Sequence, residues 1–199
     1  MNKLYPSFLA SVIFLLLLLG TYWVHVTYFK VNVVLYDAIT DGVVASIVAV
    51  AILFLWQKFN IFNRFEKLQF AIIWLLAGYI FAISIPTVID RSLSFYILEK
   101  LQQRGGQIQL ERFEEVFTKE YVREHRLVDI RLTEQQQSGT IKIENGCVTL
   151  TKRGEALAVF SQFFRHNFLP KQRLLMGSYS DDLVDPFRHS SESPDYKCN

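Results

Sequence analysis

The chain has 199 residues, of which 51% are hydrophobic, 15% aromatic and 20% charged, with a formal net charge of +2. That length makes one or two domains. Its two cysteines, Cys147 and Cys198, have no CxxC and no companion histidine pair, so a zinc site or a disulfide framework has no support in the sequence.

The apolar residues are concentrated at the start. No charged side chain other than a protonated His25 lies between Leu4 and Phe29, and none between Leu68 and Ile89. A shorter uncharged run, Gly42 to Gln57, reaches a full span if its helix begins just after Asp37. About 20 helical residues cross a hydrocarbon core of about 30 Å. Three transmembrane helices are therefore predicted, at about 5–29, 38–57 and 68–89, making residues 1–90 a membrane domain. The first is too long for a signal-peptide core and lacks a small-residue cleavage site, so it reads as an anchor. Tyr22, Trp23, Tyr28, Phe29, Trp56, Phe59 and Phe62 crowd the span ends, where amphipathic rings sit at headgroup level.

Ionisable groups beside lipid are functional candidates. His25, Lys30, Asp37 and Asp41 form the candidate polar cluster, since Asp37 and Asp41 share a helix face and the other two precede them. Such a cluster could handle a proton, a cation or a lipid headgroup. The plainer reading makes Asp37 the cap of the second span and Asp41 part of its first turn. Gly42/Ser46, Ala45/Ala49 and Gly78/Ala82 recur at four-residue spacing, which lets helix backbones approach closely.

Beyond Asp90 the chain changes character. Sixteen of the 21 Lys/Arg and fifteen of the 19 Asp/Glu lie from Arg91 onward, interspersed as on a soluble surface. "SLSFYILEKLQQRGG" carries a helical stripe of Leu93, Tyr96, Ile97 and Leu101. "LERFEEVFTKEYV" puts Phe113, Val116, Phe117 and Tyr121 on one face. "LVDIRLTEQQQSG" gives a third helix with Leu127, Ile130 and Leu132 inward. In "TIKIENGCVTLT" the alternation of Ile141/Ile143 and Val148/Leu150 brackets Asn145-Gly146, the dipeptide of a type I′ hairpin, with Cys147 a small core residue on its second strand. Thr151 is the expected cap of a closing helix with Ala156, Phe160, Phe163 and Phe164 inward.

Three helices, a two-stranded wing and a closing helix make residues 92–168 resemble the winged helix-turn-helix superfamily. The likeness is to its MarR- and PadR-like domains, where a similar "LTxxG" step follows the hairpin, here Leu150-Thr151-Lys152-Arg153-Gly154. The fold class is thus an α-helical membrane protein followed by a small α+β winged-helix-like domain, residues 91–176, and a polar, disordered tail, residues 177–199. In that tail Asp181, Asp182, Asp185 and His189 lack a scaffold that would fix metal-ligand geometry.

The resemblance implies DNA binding, but the charge pattern opposes it. Asp129 and Glu134 accompany Arg126 and Arg131 on the third helix, and Glu144 accompanies Lys142 on the wing, so few phosphate counterions would be displaced. Arg126, Arg131, Phe160, Phe164 and Phe168 then form a candidate face for protein contact. No Walker loop, nucleophile elbow or Rossmann glycine pattern occurs, so neither an enzyme nor a cofactor is expected. The expected function is a non-catalytic membrane adaptor or accessory subunit in an envelope or surface-polysaccharide pathway, with membrane lipid and a membrane protein as partners. Two alternatives stay open: a membrane-tethered regulator, and a lipid-handling or enzymatic subunit using Asp37 and Asp41. Orientation divides the evidence. Lys58, Arg64 and Lys67 against Lys30 put the N-terminus of a bacterial inner-membrane protein inside and the domain outside. The fold resemblance, an unpaired Cys147 and the cations Arg91, Lys100 and Arg104 lean toward a cytosolic domain.

Overall fold

The computed structural model describes residues 3–188 and Cys198. His189 lies outside the described residues. The chain forms two units, Met1–Leu110 and Glu111–Asn199.

The first unit is built on three helices long and apolar enough to cross a membrane: α1 (Leu4–Tyr28), α2 (Val34–Leu55) and α3 (Arg64–Arg91). Short connections fold them back on one another, so Lys3 at the start of α1 reaches Glu66 at the start of α3, Nζ to Oε1 at 2.7 Å. Asn63 caps α3 in a reciprocal capping box with Glu66, which starts that helix four residues earlier than its apolar run. α2 is the central helix. Its buried Ala38, Asp41, Gly42, Ala45, Ser46, Ala49 and Leu53 recur at three- and four-residue steps and pack against α1 and α3. The small residues serve this internal packing. A Cβ built on Gly78 would lie 3.0 Å from the Gly42 Cα, so the two backbones touch where only glycines fit. Phe14 of α1 stacks on Trp74 of α3 with centroids 5.3 Å apart, and Phe59 and Phe62 from the α2–α3 connection close that end of the core. Large apolar side chains such as Leu16, Ile47 and Ile80 cover the outside.

Near its end α3 changes pitch. Ile83–Thr87 is a π-helical segment holding Pro86, whose missing N–H and bulky ring break the α ladder. A shorter helix, α4 (Leu93–Gln103), follows, capped by Ser92 and burying Tyr96 and Lys100.

The second unit starts with α5, residues 113–124, which is α-helical at both ends and π-helical over Val116–Tyr121, with Val116 buried. Arg126 then takes a left-handed conformation, φ 43°, and opens α6 (Leu127–Gln137). α6 buries none of its side chains fully, and Ile130, expected inward, is exposed. Strands β1 (Ile141–Glu144) and β2 (Cys147–Leu150) pair antiparallel from Ile141↔Leu150 to Glu144↔Cys147. The two turn residues, Asn145 (φ 53°) and Gly146 (φ 77°), have the positive φ of a type I′ turn, as the sequence predicts.

The "LTxxG" step has a local reason. Thr151 Oγ1 accepts from the Gly154 N–H at 3.1 Å and donates to the Thr140 carbonyl at 3.0 Å, tying α7 (Lys152–Phe168) to the hairpin. A Cβ on Gly154 would fall 2.1 Å from the Thr140 oxygen, so the helix can start this close only with glycine there.

Three expectations need correction. Ala156, Phe160, Phe163 and Phe164 form no buried stripe, since all four are exposed. Cys147 is no isolated core thiol, because it is disulfide-bonded to Cys198, 51 residues on. The start of the expected tail, residues 177–199, is ordered: its β4 (Ser178–Ser180) pairs antiparallel with β3 (Arg173–Leu175) just before it, forming a second hairpin. Beyond it, Arg188 pairs with Asp181 and Asp182, and its guanidinium holds the Asp181 carboxyl below the usual range.

Candidate functional site

The four residues of the candidate membrane cluster separate into two arrangements. α2 starts at Val34, a turn earlier than the uncharged run indicates, so Asp37 is not its cap; the N-cap is Val33. Asp37 instead sits in the first turn, and its Oδ2 accepts the Asn32 N–H at 2.9 Å, closing the α1–α2 connection. Lys30 is exposed on that connection. Asp37 and Lys30 therefore belong to the turn.

His25 and Asp41 come together across the hairpin. His25 lies in the last turn of α1, and Asp41 lies two turns into α2, about 10 Å below its N-terminal end at 1.5 Å per residue. Nδ1 of His25 and Oδ1 of Asp41 are 2.7 Å apart, with the imidazole side chain 22% exposed and the carboxylate 5%. The expected place of Asp41 in the first turn of α2 is taken by Asp37, since the helix begins at Val34 and Asp41 is its eighth residue. Removing the imidazole would leave the buried Oδ1 of Asp41 without its hydrogen-bond partner, a loss of about 1–3 kcal/mol.

The second oxygen, Oδ2 of Asp41, is buried without a hydrogen-bond partner among the described residues. Buried polar atoms are nearly always satisfied, so an unpaired carboxylate oxygen marks a place where something outside the chain is expected. Beside it runs a groove of about 500 Å³ lined by Gly20, Thr21, Val24, His25, Phe29 and Asp41. Five of those six residues come from α1 and the segment just after it. Thr21, His25 and Phe29 follow at four-residue steps, as do Gly20 and Val24, so one face of α1 makes the wall. That spacing was the available signal for Gly20, Thr21, Val24 and Phe29, none of which the sequence reading singled out as site residues. Thr21 Oγ1 donates to the Leu17 carbonyl at 2.6 Å, so its hydroxyl is engaged along the helix. The Phe29 ring meets the His25 ring edge-on at 5.8 Å. Chemically the groove offers an apolar trough, one hydrogen-bond acceptor of negative character and an imidazole beside it.

The second candidate face divides as well. Arg126 Nε lies 2.9 Å from Asp129 Oδ2, and Arg131 Nη1 lies 2.9 Å from Glu134 Oε2, so each arginine is paired one turn along its own helix. Phe160, Phe164 and Phe168 instead form a ladder on α7, with centroid separations of 6.0 Å and 5.3 Å. Leu157, Val159 and Phe163 widen it, and all six side chains are exposed. The structure thus provides a polar pair within the apolar helices and an aromatic strip on the second unit.

Comparison with family models, with curated proteins and with solved structures finds no match to this chain.

Proposed function

We propose that the chain is an integral membrane protein of a bacterial inner membrane that acts as a non-catalytic accessory subunit, engaging a protein partner through α7. The observation that carries this reading is the exposed strip Leu157, Val159, Phe160, Phe163, Phe164 and Phe168. Apolar strips of this kind mark interaction sites, and aromatic side chains dominate interface energetics. The second unit holds the helix-helix-hairpin-helix part of the order expected for residues 92–168, over residues 113–168, a partial winged-helix-like pattern read as a scaffold for protein contact. A role as a tethered DNA-binding regulator has less behind it, since Arg126 and Arg131 already satisfy Asp129 and Glu134.

The same reading places the second unit on the oxidising side of the membrane. Disulfides persist in oxidising compartments, and Cys147 is bonded to Cys198, which removes one reason for a cytosolic domain. Charge is balanced between the two sides. Lys3, Lys58, Arg64 and Lys67 gather at the end of the bundle where α1 starts, with Lys58 over the Tyr5 ring and Lys67 over the Phe54 ring, and Lys30, Arg91, Lys100 and Arg104 follow the spans on the other side. The disulfide then favours α1 starting in the cytoplasm and α3 ending outside.

Photo-crosslinking in intact cells tests the partner. A benzophenone side chain at Phe160 or Phe164 should give one discrete protein adduct, and the same group at Gln162, on the far side of α7 from the Phe160–Phe164–Phe168 ladder, should not. Identical patterns from all three positions, or lipid adducts alone, would remove the adaptor reading. The side of the membrane has its own test. A cysteine at Gln103 should react with an impermeant reagent outside intact cells while one at Asn60 stays unlabelled. The opposite pattern would return the second unit to the cytosol and favour the regulator.

A further inference from the structure

We propose that the groove between His25 and Asp41 binds a membrane amphiphile with a primary ammonium headgroup, the ammonium donating a hydrogen bond to Asp41 Oδ2 and the chains lying along the apolar wall. The inference starts from the unsatisfied oxygen. A carboxylate oxygen can only accept, and Asp41 Oδ2 is buried with no donor among the described residues. His25 Nδ1 is committed to the other oxygen at 2.7 Å, and the Thr21 hydroxyl is committed to the Leu17 carbonyl. The missing donor therefore comes from an occupant of the groove.

The lining sets the class of that occupant. Gly20, Val24 and Phe29 give an apolar trough of about 500 Å³, too greasy for a hydrated small ion and suited to part of a lipid chain. Depth points the same way. Asp41 lies about 10 Å inside the end of α2, with Trp23, Tyr28, Phe29 and Tyr36 exposed around that end, where aromatic side chains mark headgroup level. A headgroup reaching this depth meets a buried carboxylate, which repels an anionic group and attracts a cationic one. Choline is cationic but has no N–H and cannot satisfy Oδ2. A primary ammonium has three donors, and a charge-assisted bond of this kind is about twice as strong as a neutral one. Ethanolamine phospholipid is the membrane source of that chemistry. α7 contributes nothing to the groove, so this proposal stands or falls separately from the adaptor reading.

The test uses the full-length protein reconstituted in nanodiscs of equal ethanolamine and choline phospholipid with matched chains, then released and analysed by native mass spectrometry. The wild type should retain ethanolamine lipid over choline lipid by about tenfold, the scale of one charge-assisted hydrogen bond. Asp41→Asn should abolish that preference, because its amide directs donors at the ammonium. Asp37→Asn, altering a carboxylate already used by the connection, should preserve it. Gly20→Leu leaves the pair intact and fills the groove, since a Cβ at Gly20 meets nothing within 4 Å. It should lose retained lipid and decides the matter if Asp41→Asn does not fold. Soluble phosphoethanolamine, added to separate headgroup from amphiphile, should not displace the retained lipid. Equal retention of the two lipids by the wild type, an undiminished preference in Asp41→Asn, unaltered retention in Gly20→Leu, or displacement by the soluble headgroup would each overturn the proposal.

Discussion

The two units are held together by different means. The first has a continuous core in which Ala10, Phe14, Leu18, Ala45, Ala49, Leu53, Phe59, Phe62 and Trp74 are buried together, and its central helices meet backbone to backbone at Gly42 and Gly78. In the second, Val116 is the one fully buried hydrophobic side chain among the described residues. That unit relies on local closures: a type I′ turn, the Thr151 cap, the Gly154 contact and a disulfide. A stable domain normally removes much of its apolar surface from water, and a unit that leaves α7 uncovered has surface available for a partner. The contrast shows where each unit's tolerance to change lies. The bundle should resist changes to its lipid-facing side chains and fail at its glycines, while the second unit should fail at its staples.

The largest expected effect breaks the staple of the second unit. Cys147→Ser opens a crosslink spanning 51 residues, which chain entropy values at about 4 kcal/mol. Hydrogen exchange over residues 141–175 of the full-length protein should accelerate strongly in this variant and, equally, after reduction of the wild type. Unchanged exchange would mean that the unit is held by something else and would weaken the argument for an oxidising compartment. Next comes the bundle's own weak point. Gly78→Leu forces a side chain into the Gly42 backbone, and overpacking of this kind costs about 3 kcal/mol. Thermal unfolding in detergent, followed through the fluorescence of the bundle's tryptophans Trp23, Trp56 and Trp74, should show a lowered midpoint, whereas Gly20→Leu should not. Equal loss in both would indicate that added bulk anywhere along the bundle, rather than the close approach at Gly42, lowers the midpoint. The smallest effect is Gly154→Ala, which pushes α7 away from the Thr140 carbonyl at a loss of about 2 kcal/mol. It should raise exchange at the α7 N-terminus while leaving the bundle's midpoint unchanged. A change in that midpoint would show the two units to be energetically linked.

What the sequence disclosed follows from the range of the forces involved. Helices in the three apolar stretches, the Asn145-Gly146 turn and the Thr151 cap depend on residues within a few positions of one another, and all were legible. The capping box of Asn63 and Glu66 was equally local and was missed because the apolar run begins later. His25 and Asp41 are 16 apart, and their pairing depends on how tightly the connection turns; counting back and forward from that connection would have brought them to one level. Cys147 and Cys198 carry no spacing signal at a separation of 51. The second hairpin was hidden for another reason. Its turn is Met176-Gly177, with Met176 at φ 47°, and methionine is not a residue from which a left-handed turn is read. The burial of α7 failed as an expectation because helical periodicity tells which face is apolar and not what covers it.

The π-helical segment around Pro86 resets the phase of the third span. One additional residue in the ladder rotates everything after it by about 100° relative to an uninterrupted helix. A wheel drawn through Arg64–Arg91 with one constant period therefore assigns Val88, Ile89, Asp90 and Arg91 to the wrong compass points. The stripe that carries Trp74, Gly78 and Ala82 into the core does not continue in line beyond Ile83. The span is better treated as two short gears on a common axle, slipped by one tooth. Removing a single residue other than the buried Pro86 from Ile83–Thr87 would restore one constant period and leave Asp90 and Arg91 on the bearing they already have, because the segment takes up the extra residue.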